Sequence, residues 1–298
     1  MDIFIQVVLP VILIFLTGYS VQKWKNIDIK SISTVAIYIL TPCLVFRTFY
    51  QTELNFEYVQ IIIFSLILLF SIILINKIYA SIRRFSQSIE SGLVLSTAFM
   101  NSGNYGAPIV LFAFGEQGFA YSVLFLVLQA IIMNFFGVYY AARGQAGIKM
   151  ALVSVMKMPA TYAVIIALIL QWTGLAMPDN LFMAVDLVAE ATIPVVMLIL
   201  GMQLAEIKLQ KLNFEHISFG VIVRMVISPL IAFAILQYMT LDPLLAKVLL
   251  VSAAMPSAAT TVMYAVQFES EPDLVSTVTL VTTIVSVATI TVLLMLLG

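Results

Sequence analysis

The chain has one cysteine, Cys43, and one histidine, His216, in 298 residues. Disulfides, Cys/His zinc sites and a histidine-based catalytic triad within one chain are all but excluded by that shortage. Charge is scarce too. Lys, Arg, Asp and Glu make up 10% of the residues and nearly cancel, to a net −1, with no basic block suited to nucleic acid. There is no paired-carboxylate metal motif, no G-x-S-x-G elbow and no phosphate-cradling glycine loop. The polar connections are too short for the soluble output domain of a sensor. An enzyme is therefore not expected, and neither a cofactor nor a metal.

What is present is hydrocarbon. Apolar residues are 62% of the chain and the mean hydropathy is +1.11, so lipid rather than water is the expected solvent. A hydrocarbon core about 30 Å thick takes roughly 20 apolar residues per helix. Read against the polar breaks, the apolar runs place ten spans, at about 2–22, 29–50, 56–79, 87–114, 117–140, 152–172, 180–205, 214–239, 243–268 and 272–297. The first opens on Asp2 with no basic n-region or small-residue cleavage site, and reads as a retained helix rather than a signal peptide.

Eleven of the fourteen basic residues flank the odd-numbered connections: Lys23, Lys25, Lys30, Lys77, Arg83, Arg84, Arg143, Lys149, Lys157, Lys208 and Lys211. Positive charge is retained in the cytoplasm, so both termini are expected outside the cell membrane. Residues 1–140 then form a first five-helix repeat, 141–151 a cytoplasmic connection and 152–298 a second repeat. Five is odd, so the second repeat is inverted, a common arrangement in transporters.

The halves share interruptions. Thr41-Pro42 corresponds to Ile193-Pro194 at an offset of 152, and Ser96–Ser102 lies over Val251–Ser257 at an offset of 155. Each break falls about 13 or 14 residues into its span, roughly 20 Å along a helix and near the bilayer centre. Asn101-Ser-Gly-Asn-Tyr-Gly-Ala-Pro108 holds Gly103, Gly106 and Pro108, which oppose a continuous helix. Non-helical backbone at that depth has to be buried in protein or line a cavity. Paired Gly/Pro interruptions are a pointer to a binding site, whereas a lone Pro10, Pro159 or Pro229 reads as a packing kink.

With Asn101–Pro108, Leu40-Thr41-Pro42, Pro194 and Ala254-Met255-Pro256-Ser257 in view, the chain resembles the auxin efflux carrier family, which includes bacterial permeases for malate, malonate and related organic acids. The resemblance covers essentially the whole chain. It implies an all-α membrane protein of ten helices in two inverted repeats, a scaffold part and a mobile transport part, broken helices 4 and 9 crossing at the midplane, and an anionic substrate. A long hydrophilic connection between the halves, found in many plant members, is absent.

Half-helix N-termini concentrate positive partial charge suited to a carboxylate. The expected substrate contacts are Asn101, Ser102, Asn104 and Tyr105 at the first break and Pro256, Ser257, Thr260 and Thr261 at the second, with Tyr264 beyond; mutual hydrogen bonding across the break is the other reading. Intramembrane charge is costly, roughly 2.5–3.5 kcal/mol at a helix centre, so Asp186, Glu190 and Arg224 stand out. Glu190 reads either as the binding group for a coupling H⁺ or Na⁺, with Arg224 compensating charge, or as half of a buried Glu190–Arg224 salt bridge. Asp186, nearer the outer surface, reads either as a third coupling or charge-compensating group or as a solvated one, and His216 is expected to be solvated. Gln129 and Asn134 could line a cavity or join helices. The stripe Ser276, Thr279, Thr283, Ser286 and Thr289 suits close helix packing, within the chain or across a homodimer. The function expected is a secondary transporter of a small organic anion, malate-like or else a monocarboxylate or aromatic acid. An anion channel or uncoupled facilitator is the alternative.

Overall fold

Short polar residues punctuate the apolar sequence, and the helices start and stop at them. The side chains of Asp28, Ser86, Asn213 and Asp242 each accept an N–H from the turn that follows, a cap worth about 1 kcal/mol. Pro159 and Pro243 stand in first turns, where a missing N–H costs nothing. Asn26 and Gly174 close helices in the left-handed conformation.

The computed structural model describes residues 4–51, 57–142, 147–206 and 213–297. Arg143, Lys208 and Lys211 of the basic connections, and Asp2, lie outside the described residues. The described helices are α1 Phe4–Lys25, α2 Ile29–Gln51, α3 Glu57–Arg83, α4 Gln87–Thr97, α5 Ser102–Ala141, α6 Gly147–Met156, α7 Pro159–Thr173, α8 Asp179–Glu206, α9 Phe214–Gln237, α10 Pro243–Ala253, α11 Ala259–Gln267 and α12 Pro272–Leu297. Among the described residues, seven of these (α1, α2, α3, α5, α8, α9 and α12) are long and apolar enough to cross a membrane, and α7 and α10 are shorter apolar helices. Leu74, Leu230 and Ile284 are among many large apolar side chains turned outward, an arrangement suited to lipid and not to water. The chain is a multi-pass membrane protein.

Prolines shape the rods in a repeated way. Before Pro42, Pro108 and Pro229 the helix widens into a π turn, and the residue preceding each proline donates its N–H to the carbonyl five back, Thr41 to Ala36, Ala107 to Ser102 and Ser228 to Val223. The wide turn reroutes the ladder around the missing donor. Pro42, expected to break its helix, therefore leaves α2 continuous. Pro194 does interrupt α8, at Ala191, which separates Asp179–Glu190 from Thr192–Glu206; its ring opposes the Glu190 carbonyl four residues back. Pro159, expected to kink a single span over 152–172, instead separates α6 from α7, because Met158 before it is extended. The described end of the 141–151 connection is accordingly helix. Gly115, with φ +67° and ψ −166°, divides α5 into two rods, a conformation that side chains resist.

Two groups of helices emerge from the packing. α1 lies along α8, and α2 along α7 and α8. The α1–α8 contact depends on Gly18 and Gly201, since a Cβ there would sit 2.2 Å from the Leu198 carbonyl oxygen and 2.0 Å from that of Phe15. The second group joins α3 to α9, α5 to α10, and α12 to α4, α9 and α11.

Candidate functional site

The interruption between α4 and α5 meets the one between α10 and α11. Asn101 donates its backbone N–H to the Pro256 carbonyl at 2.8 Å and Ala258 donates to the Phe99 carbonyl at 3.0 Å, around a single antiparallel bridge between Met100 and Ser257. Each break frees backbone groups that an apolar interior cannot satisfy, and each supplies the other's partners. Neither break is viable alone.

A cavity of about 140 Å³ lies against this junction. Asn101, Ser102 and Asn104 line it from the first break, Thr260 from the second and Gln129 from α5, with Thr41 of α2 and Thr192 of α8 from the other helix group. The remaining wall includes Leu44, Leu126 and Val196, and among the described residues no charged side chain lines it. Asn101 is 5% exposed, and its Nδ2 finds no hydrogen-bond partner among the described residues. A buried donor left this way costs about 1–3 kcal/mol, so a group that accepts from it would recover that loss.

The other expected contacts lie elsewhere. Tyr105 is buried away from the cavity, its hydroxyl accepting from Ser286 at 3.1 Å and its ring meeting Phe15 edge-on at 5.1 Å. Ser257 donates to the Ser96 carbonyl, and its N–H to Thr282 Oγ1 at 3.2 Å. Thr261 donates to the Ala258 carbonyl at 2.7 Å, and Pro256 contributes its carbonyl to the bridge. These residues hold the broken backbone together. Tyr264 donates to Asn134 Oδ1 at 3.0 Å, which makes Asn134 an interhelical tie, whereas Gln129 lines the cavity. Gly103, also on the wall, brings its backbone to Leu126, where a Cβ would lie 3.1 Å from Cδ1.

The charges are arranged differently from the sequence expectation. Arg224 forms no pair with Glu190. It is fully buried and donates to the Thr97 carbonyl at 2.9 Å, to Ser228 Oγ at 2.7 Å and to the Ala253 carbonyl. Glu190 is exposed at the α8 interruption, two residues before Thr192. Asp186 is not simply solvated but pairs with Arg47 at 2.9 Å. Arg47 stands late in its apolar run, where sequence alone does not distinguish a paired charge from one at a helix end. His216 is buried, not solvated, its ring edge-on to Phe85 at 4.6 Å. On α12, Thr279, Thr283 and Ser286 are buried, and Thr279 and Thr283 return their hydroxyls to carbonyls one turn back. Thr282, outside that stripe, is the residue that reaches Ser257.

The sequence from residue 3 to 294 matches the model of the family described as membrane transport protein. The chain is 28% identical over 304 residues to an uncharacterized transporter of Methanocaldococcus jannaschii, covering 96% of each. It is 24% identical over 300 residues to an uncharacterized transporter of Methanothermobacter thermautotrophicus, covering 96% of this chain and 95% of that one. The chain is thus similar to transporters and not to enzymes, and it belongs to the membrane transport protein family, the auxin efflux carrier family that its broken-helix motifs resemble.

Proposed function

We propose that the protein is a secondary transporter of a small organic anion in the cell membrane, with ten spans in two inverted halves and both termini outside. The substrate's carboxylate is held at the crossover. The unpartnered Nδ2 of Asn101 on the cavity wall carries this reading. It is joined by the donors of Ser102, Asn104, Gln129 and Thr260 and by the N-terminal ends of α5 and α11, both of which start at the cavity. Neutral donors can hold an anion without the full charge that would slow its release.

The same wall favours a single carboxylate over a malate-like dicarboxylate. Desolvating each ion costs several kcal/mol, and among the described residues no cationic side chain lines the cavity to meet a second charge. The cavity takes part of its wall from α2 and α8 and part from α5, α11 and the link between α4 and α5. Movement of one helix group past the other would open it alternately to the two sides, as alternating access requires. Glu190, beside the α8 interruption and without an ion-pair partner among the described residues, is the group assigned to H⁺ or Na⁺ coupling.

The test is uptake into proteoliposomes of radiolabelled two- to five-carbon mono- and dicarboxylates, with and without proton and sodium gradients. Saturable uptake of monocarboxylates, competed by their analogues, is expected. Unitary currents would point to a channel instead, and no carboxylate flux at all would overturn the reading.

A further inference from the structure

Arg224 is a buried cation whose partners among the described residues include no carboxylate. Its guanidinium donates to the Thr97 and Ala253 carbonyls, and these are the final helical residues of α4 and α10. One side chain therefore closes the C-terminal ends of both half-helices that lead into the crossover. Its surroundings hold it in place: Ser228 accepts from it at 2.7 Å and itself donates to the Ala253 carbonyl at 3.1 Å, while Asn76 donates to Thr97 Oγ1 at 2.8 Å. A helix C-terminus carries about half a unit of negative charge. Two such ends come to about one unit, the charge of a single guanidinium, which stays protonated when buried.

This has an electrostatic consequence at the cavity. At an ordinary helix break the negative end of one half-helix faces the positive end of the next, and the two fields oppose each other. Here the negative ends are matched by Arg224, and the ends left uncompensated are the N-termini of α5 and α11, where the cavity lies. We propose that Arg224 is a positioning residue, the shared C-terminal cap of the two half-helices, and that its fixed charge makes an uncharged cavity positive enough to hold an anion. The proposal rests on the anion reading of that cavity and explains how a wall without a cation can serve it.

The test reads the field directly and uses no substrate. A single thiol is placed on the wall by Thr260→Cys in a Cys43→Ala background, and the purified protein in nanodiscs is modified with two methanethiosulfonates of similar size, one sulfonated and one carrying trimethylammonium. The rate ratio is compared with that of a surface reference, Ile148→Cys. The cavity thiol is expected to favour the anionic reagent relative to the reference. Arg224→Gln should reduce that preference about tenfold, the effect of one nearby charge in a medium of intermediate dielectric, and Arg224→Lys should restore most of it even where thermal stability stays lowered. A residue with only a structural role would lower stability in both variants and leave the ratio unmoved, which would overturn the proposal. If Arg224→Gln does not fold, the parent ratio decides, and a cavity thiol with no anionic preference over the reference refutes it. A clear preference without any carboxylate transport would sink the proposed substrate and leave the role of Arg224 intact.

Discussion

Replacing Asn101 with alanine is expected to weaken transport and, at the same time, leave the empty protein as stable as before or more so. The two effects have one origin. In the structure the Asn101 side chain is almost fully buried with Nδ2 unsatisfied among the described residues, a cost of about 1–3 kcal/mol that alanine removes. Against it stands the small cavity left by the truncated side chain, so the net change should lie between no effect and a gain of about 2 kcal/mol. The backbone contact to Pro256 does not involve the side chain and should persist. With substrate bound, Nδ2 would donate to a carboxylate, and a hydrogen bond to a charged group is worth about 1.5–3 kcal/mol, or roughly 10- to 150-fold in affinity. Thermal unfolding in nanodiscs, paired with concentration-dependent uptake in proteoliposomes, reads both quantities on the same preparation. A melting temperature unchanged or raised, together with an affinity at least tenfold weaker, is the expected pair. A variant that is destabilised while its uptake is unaffected would show Asn101 to be a structural residue and would remove the observation on which the proposed site depends.

Asn104→Ala, on the same wall but partly exposed, should weaken uptake with little loss of folded protein; unchanged affinity would take it out of the site. Glu190→Gln should leave substrate binding intact and abolish the response of uptake to a proton or sodium gradient, and a full gradient response would exclude Glu190 from coupling. Gly201→Ala should destabilise the protein by about 1–3 kcal/mol, because the new Cβ would fall 2.0 Å from the Phe15 carbonyl oxygen; an unshifted melting temperature would contradict the close α1–α8 contact. Ile148→Cys, in the Cys43→Ala background, should resist an impermeant reagent added outside intact cells and react once the cells are opened, while labelling from outside would reverse the proposed orientation.

Composition alone dictates the solvent, and with it much of the architecture. The apolar runs require a membrane, and the limits of α2, α3, α9 and α12 fall close to where those runs begin and end, because caps and prolines are local signals. The interruption at Pro256 was legible for the same reason, since proline acts on the backbone wherever it stands; Gly103, Gly106 and Pro108, expected to break their helix, instead lie within α5, and the break falls just before them at residues 98–101. The direction each polar group faces is set by the packing of the helices. In a soluble helix the apolar stripe marks the buried side, but here lipid-facing and core-facing surfaces are equally apolar. Nothing in the sequence therefore indicates that Gln129 lines the cavity while Tyr105 and Ser257 do not. The charged residues show this most clearly. Counted along the sequence, Glu190 and Arg224 fall at similar depth in successive spans, a spacing that suggests an ion pair. The rotation of α9 turns Arg224 toward the ends of α4 and α10 instead, and backbone carbonyls, present at every residue and visible in none, are its counter-charge.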